Sequence, residues 1–81
     1  MQIEVLLFAA ARDAAGSDSI LIDVRDDPRA SDVLEAIGYR LPEISRLIPA
    51  CRLAVDCGYV GGDQAVSADS EIALIPPVSG G

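Results

Sequence analysis

The chain has 81 residues, 51% of them hydrophobic and 4% aromatic, with a net charge of −7. That length supports one domain with one modest core, burying about 60–65% of the unfolded surface. The acidic balance argues against a nucleic-acid surface, and no apolar run reaches the roughly 18–20 residues that cross a bilayer.

All six cationic side chains are arginines; lysine and histidine are absent. The chain therefore offers no side-chain amine to accept an isopeptide, and no imidazole for acid–base chemistry or metal binding. Its acidity is compatible with an electropositive protein partner, or simply with solubility. Met1-Gln2-Ile3-Glu4 lacks the basic n-region of a signal peptide, so a cytoplasmic location is expected.

Residues 3–8 read as a first strand, with Ile3, Val5 and Leu7 on one face and Glu4, Leu6 and Phe8 on the other. Glu4 marks the second face as outward. Ala10 to Ala15 suits a helical turn closed by Gly16. Residues 19–25 form a second strand, with Ile20, Ile22 and Val24 against Leu21 and Asp23. Asp27 is then expected to cap a helix with Pro28 in its first position. Ala30, Val33, Leu34, Ile37 and Leu41 recur on one face of that helix, and Pro42 ends it. The stretch from Glu43 to Ile48 suits a further short helical turn before Pro49.

Residues 52–56 form a third strand, Cys57-Gly58 a turn, and Tyr59-Val60 a short returning strand broken by Gly61-Gly62. Residues 71–75 form the last strand. The order is strand, strand, helix, strand, short strand, strand, which is an α+β class. Cys51 and Cys57 on one extended segment would sit roughly 20 Å apart, too far for a disulfide. Without histidine or a Cys-x-x-Cys pattern they read as reduced thiols in or near the core.

The last strand runs into Pro76-Pro77-Val78-Ser79-Gly80-Gly81. Neither proline can donate to a sheet ladder, and two in succession favour a stiff, extended exit. Two glycines carry no Cβ and can enter a channel too narrow for other residues. A glycine pair alone is weak evidence, because chain ends commonly fray. An apolar strand stopped by Pro-Pro and followed by Val-Ser-Gly-Gly is far more specific. It suits chemistry on the Gly81 carboxylate.

This run closely resembles the terminus of the MoaD family, the small sulfur-carrying subunits of molybdopterin synthase among the ubiquitin-like β-grasp sulfur carriers. Val5-Leu6-Leu7-Phe8-Ala9, Arg12 with Gly16, the helix around Val33-Leu34, and Leu53-Ala54-Val55 extend the resemblance in order. The sequence departs from the family pattern at Asp56 (often asparagine), at Ala68-Asp69 (often Asp-Gly) and at Ile75 (often aromatic). The resemblance implies a ubiquitin-like β-grasp: a mixed sheet of four to five strands with one main crossover helix, its first and last strands parallel and central. Residues 1–75 would form the domain and 76–81 the extended tail.

It also implies a carrier cycle. A ubiquitin-activator-like (MoeB-like) enzyme would use ATP and magnesium to adenylate Gly81, and a persulfide donor would leave a thiocarboxylate there. Pro76, Pro77, Val78, Ser79 and Gly80 would thread the tail into a large, MoaE-like synthase subunit. Sulfur would there pass to cyclic pyranopterin monophosphate to build the molybdopterin dithiolene. Acid–base groups are expected on the large subunit, no cofactor is expected to be bound by this chain, and neither nucleic acid nor membrane is expected as a partner.

Parity along the strands places Leu6, Phe8, Ala73 and Ile75 together on the outward face, with Tyr59 nearby. An apolar patch on an acidic small protein suits a protein interface. Members of the family use sheet residues at the Phe8, Tyr59 and Ile75 positions in this way. The alternative is a second core layer built by Ile44–Ile48. For function, a carrier for thiazole or another thio-metabolite, a ubiquitin-like protein modifier, and a plain interaction domain stay open beside the synthase reading.

Overall fold

A computed structural model describes residues 1–77 of the chain. Five strands form one mixed sheet in the order β2-β1-β5-β3-β4, where β1 is Gln2–Leu7, β2 Ser19–Asp23, β3 Arg52–Val55, β4 Gly58–Val60 and β5 Ile72–Ile75. β1 and β5 run parallel at the centre, with Val5 opposite Ile72 and Leu7 opposite Leu74. All other pairings are antiparallel. This is the ubiquitin-like β-grasp, with the first and last strands side by side.

Alternation decides which face is buried. Ile3, Val5 and Leu7 from β1 and Ile20 and Ile22 from β2 point inward, and Leu53, Ile72 and Leu74 complete the sheet's inner layer. The long helix α2 (Ala30–Arg40) covers this layer with Ala30, Val33 and Ile37, while Leu41 follows at its C-cap. Leu34, on the flank of that stripe, is half-buried. A short helix α1 (Ala9–Ala15) joins β1 to β2 and closes on Gly16 at φ 72°, whose N–H donates to the Arg12 carbonyl at 2.9 Å. Glycine suits this left-handed cap because it has no Cβ to clash.

α2 begins two residues later than the Asp27-Pro28 signal predicts. Arg29 is the N-cap, and the Asp32 carboxylate accepts from the Arg29 N–H at 2.8 Å. Asp27 takes φ 52° and Pro28 is buried, so both belong to the turn that delivers the helix. The first helical N–H groups of Ala30 and Ser31 donate to the carbonyls of Gln64 and Gly62. The Arg29 guanidinium donates to the Asp63 carbonyl at 2.7 Å. The 61–70 connection is thereby stapled across the start of α2, and Val66 drops into the core.

Residues Pro42–Ala50 form a 3-10 helix that runs through Pro49. Its Ile44 joins the main core, with Leu47 and Ile48 partly buried against it. This segment packs on α2, on the helical side of the sheet. It therefore builds no second layer over the outward face.

The β3–β4 hairpin turns at Asp56-Cys57 rather than at Cys57-Gly58. Val55 pairs with Gly58, and the two residues between them take φ 51° and 69°. Positive φ at both central positions matches a type I′ turn, whose twist suits an antiparallel pair. Among the described residues no helix is long and apolar enough to cross a membrane.

Candidate functional site

The outward face of the sheet and the exit of β5 form the candidate site. One row of side chains crosses all five strands: Ser19, Leu6, Ala73, Ala54 and Tyr59 stand opposite one another in successive ladders. Period-two alternation forces this row outward once Ile72 and Leu74 have turned inward. The next step toward the end of β5 pairs Ile75 with Arg52. Extending the β1–β5 register by one residue brings Phe8 to the same step as Ile75.

Exposure is uneven across this surface. Tyr59 is 64% and Phe8 47% exposed, whereas Leu6 and Ile75 are half-buried. Ala73, expected outside, is 8% exposed and counts as buried. The reason is its place: a methyl on the central strand, shaded by Leu6 on one side and by the β3 backbone at Ala54 on the other. Ala73 and Ala54 make a low floor between the taller Leu6, Phe8, Ile75 and Tyr59.

Phe8 sits at the hinge between strand and helix. It is the N-cap of α1 with extended backbone, and Ala9 beyond it takes φ 51°. This sharp turn leaves the ring at the sheet's end instead of carrying it into the helix. The Arg52 guanidinium lies over the Tyr59 ring, its carbon 5.4 Å from the ring centroid. Leu21, 57% exposed and opposite Glu4 on β2, extends the apolar surface toward the edge strand. Its parity with Asp23 could have revealed it in the sequence.

The tail leaves from the end of the central strand, at one edge of this surface. β5 is paired on both sides, so its last residue Ile75 is fixed in direction, and Pro76 and Pro77 follow outside any ladder. Pro77 is exposed. Val78, Ser79, Gly80 and Gly81 lie outside the described residues.

The thiols are placed differently from one another. Cys51 is buried and its Sγ donates to the Leu47 carbonyl at 3.2 Å; burial pushes its pKa up from the ordinary value. Cys57, expected in or near the core, is exposed in the type I′ turn. Its position in a two-residue loop, outside the alternating strand, is what takes it from the core.

The ThiS family profile matches residues 5–81. The chain belongs to the ThiS family. Among relatives, it is 39% identical to the molybdopterin synthase sulfur carrier subunit of Dictyostelium discoideum, over 99% of this chain and 96% of that one. Its fold is similar to that of the small archaeal modifier protein 1 (SAMP1) of Haloferax volcanii, with a TM-score of 0.82 at 30% identity and full coverage of both chains. A Helicobacter pylori chain from a complex of subunits 1 and 2 of molybdopterin-converting factor shares the fold at 20% identity and a TM-score of 0.66, with full coverage of both chains. The ThiS-family match spans the outward row, β5 and the tail together.

Proposed function

We propose that this chain is the sulfur-carrier subunit of a molybdopterin synthase, with Gly81 as its reacting residue. The observation that carries the reading is the placement of β5. The strand that leads into the Pro-Pro-Val-Ser-Gly-Gly tail is central, paired on both sides, and flanked by the apolar outward row. A rigid base of this kind aims a tethered terminus, which lowers the entropy lost when its end is positioned for reaction. The Dictyostelium discoideum relative, by its name, supports the pathway. The subunit complex from Helicobacter pylori supports a large-subunit partner.

In this cycle the Gly81 carboxylate attacks ATP with magnesium on an activating enzyme, releasing pyrophosphate and giving an acyl-adenylate. The terminal sulfur of a persulfide displaces AMP, forming an acyl C–S bond. A thiol then cleaves the donor's own S–S bond, leaving a thiocarboxylate on Gly81 and a disulfide on the donor. That terminal sulfur then attacks cyclic pyranopterin monophosphate inside the large subunit. The chain alone is no enzyme on this reading: it supplies the nucleophile and the docking face. Acid–base groups come from the large subunit. Leu6, Phe8, Tyr59 and Ile75, on a floor of Ala73, meet that subunit. Residues 1–75 act as the domain and 76–81 as the tail.

A second reading, a protein modifier, is favoured by the likeness to SAMP1. One experiment separates the two. The chain, converted to its thiocarboxylate, is mixed with the large synthase subunit and the pterin precursor, and molybdopterin formation is followed. Product formation is expected. Failure with a competent large subunit, together with stable conjugates of Gly81 to lysines of other proteins in extracts, would establish the modifier instead.

A further inference from the structure

The outward face is polarised along its strands. Because β1 and β5 run against β2 and β3, the starts of the first pair and the ends of the second share one edge of the face. Glu4, Asp23 and Glu71 gather there, all exposed. Extending the β1–β5 register back by one residue sets Glu4 and Glu71 at the same step. At the opposite edge, where the tail leaves, Arg52 stands opposite Ile75. Arg52 is the one cationic side chain carried by any of the five strands.

Arg52 is also prepared for a partner. Among the described residues the close arginine–carboxylate pairs are Arg12–Asp18 and Arg25–Asp32, and neither involves Arg52. Its guanidinium lies over the Tyr59 ring, which restrains the side chain while leaving the in-plane N–H donors available. A guanidinium held in this way offers two parallel donors to a carboxylate. The neighbouring Leu6, Ala73, Ala54 and Ile75 carry no competing acceptor in their side chains.

We infer that Arg52 docks on a carboxylate of the protein that receives the tail, beside the entrance of its channel, and that the acid-to-base polarity of the face fixes the direction of docking. The occupant is a protein surface with an apolar centre and an acidic group at the channel end. This inference rests on the outward face being the interface proposed above. Reversed docking would bring the partner's carboxylate against Glu4 and Glu71, where like charges repel. It would also aim the tail away from the channel.

The test titrates the large synthase subunit of the same organism with the wild-type chain and with Arg52→Glu, Arg52→Gln, Arg52→Lys and Leu6→Asp, at low and high salt, with melting curves in parallel. Arg52→Glu is expected to weaken binding by about tenfold or more, and Arg52→Gln to flatten the salt dependence of association. Arg52→Lys is expected to keep the salt dependence but only part of the affinity, because a lysine ammonium restores the charge without the two parallel donors. Loss of binding in Leu6→Asp with wild-type affinity in Arg52→Glu overturns the inference and leaves the interface standing. Unchanged binding in Leu6→Asp means the interface reading has failed, and the inference with it. Equal losses in Arg52→Gln and Arg52→Lys, tracking lowered melting temperatures, would make the residue a structural prop for Tyr59 and overturn the docking role.

Discussion

Asp56 holds Glu71 at both ends of the residue: its N–H donates to the Glu71 carbonyl at 2.8 Å, and its Oδ1 accepts from the Glu71 N–H at 3.0 Å. The β3–β4 turn is thereby tied to the residue just before the central strand. The entry of β5, and with it the direction of the tail, depends on a side chain fifteen positions away.

Replacing that side chain tests the tie. Asp56→Ala removes the acceptor and puts a non-glycine side chain without local hydrogen bonding at φ 51°. A loss of about 1–2 kcal/mol is expected, or a melting temperature lower by roughly 5–15 °C. Asp56→Asn keeps both the acceptor and the tolerance for positive φ, and should melt near the wild type. Thermal melting of the two variants decides the matter; equal loss in both would mean that charge, rather than geometry, holds the turn.

The docking residues should separate from the folding residues. Phe8→Ala is expected to weaken binding to the large subunit by roughly thirtyfold, the worth of about 2 kcal/mol. Ile75→Asp should weaken it similarly, and both proteins should remain folded by circular dichroism. Leu74→Ala is the contrast. Leu74 is fully buried, so its truncation should cost about 2–5 kcal/mol of stability. Unfolding of Phe8→Ala would place that ring in the core and remove it from the interface.

Deletion of Gly81 should abolish single-turnover sulfur transfer, and so should a one-residue extension beyond it. Reacting atoms must come within about 3–3.5 Å, and one residue shifts the terminus by roughly that distance. Gly80→Val should also fail, since a β-branched side chain widens and stiffens the thread. Melting should be unaffected in all three, because Pro77 already lies outside the sheet and exposed. Substantial transfer by the Gly81 deletion would rule out the carrier chemistry.

The two thiols should react with a thiol reagent as separate populations. At neutral pH an aromatic disulfide reagent is expected to react promptly with Cys57 and to reach Cys51 only after unfolding in urea. The pKa of Cys51 is raised by burial, so the folded state favours its protonated form. Its contribution to stability is therefore complete below the ordinary thiol value of 9.0 and is lost as pH rises through the folded value. Urea midpoints for the wild type and Cys51→Ser between neutral pH and pH above 9 would read this slope. Prompt reaction of both thiols in the folded protein would contradict it.

Much of this architecture follows from local pattern. The alternation in residues 3–7 assigns Ile3, Val5 and Leu7 to the core, because a strand has no other way to bury one side. The spacing of Ala30, Val33, Ile37 and Leu41 likewise yields one buried helical stripe. Gly16 announces the end of α1 because its left-handed cap suits a residue without a Cβ. The tail motif is legible for the same kind of reason: Pro-Pro ends a ladder wherever it stands.

Other features depend on who the neighbours are. Parity sends Ala73 outward, yet it is buried because β5 lies between β1 and β3, and strand order is a long-range property. The start of α2 is decided by Asp32 and by the carbonyls of Gly62 and Gln64; those carbonyls lie more than thirty residues from the Ser31 and Ala30 N–H groups that donate to them. Cys57 lies outside the core because the β3–β4 register leaves it in a two-residue loop, where strand alternation no longer assigns it a face. The charge polarity of the outward face arises only when antiparallel strands bring the end of β2 and the approach to β5 to the same edge. Periodicity acts over a few residues and is written in the sequence itself; shading, capping and polarity require segments far apart in the chain to meet, and the packed sheet alone brings them together.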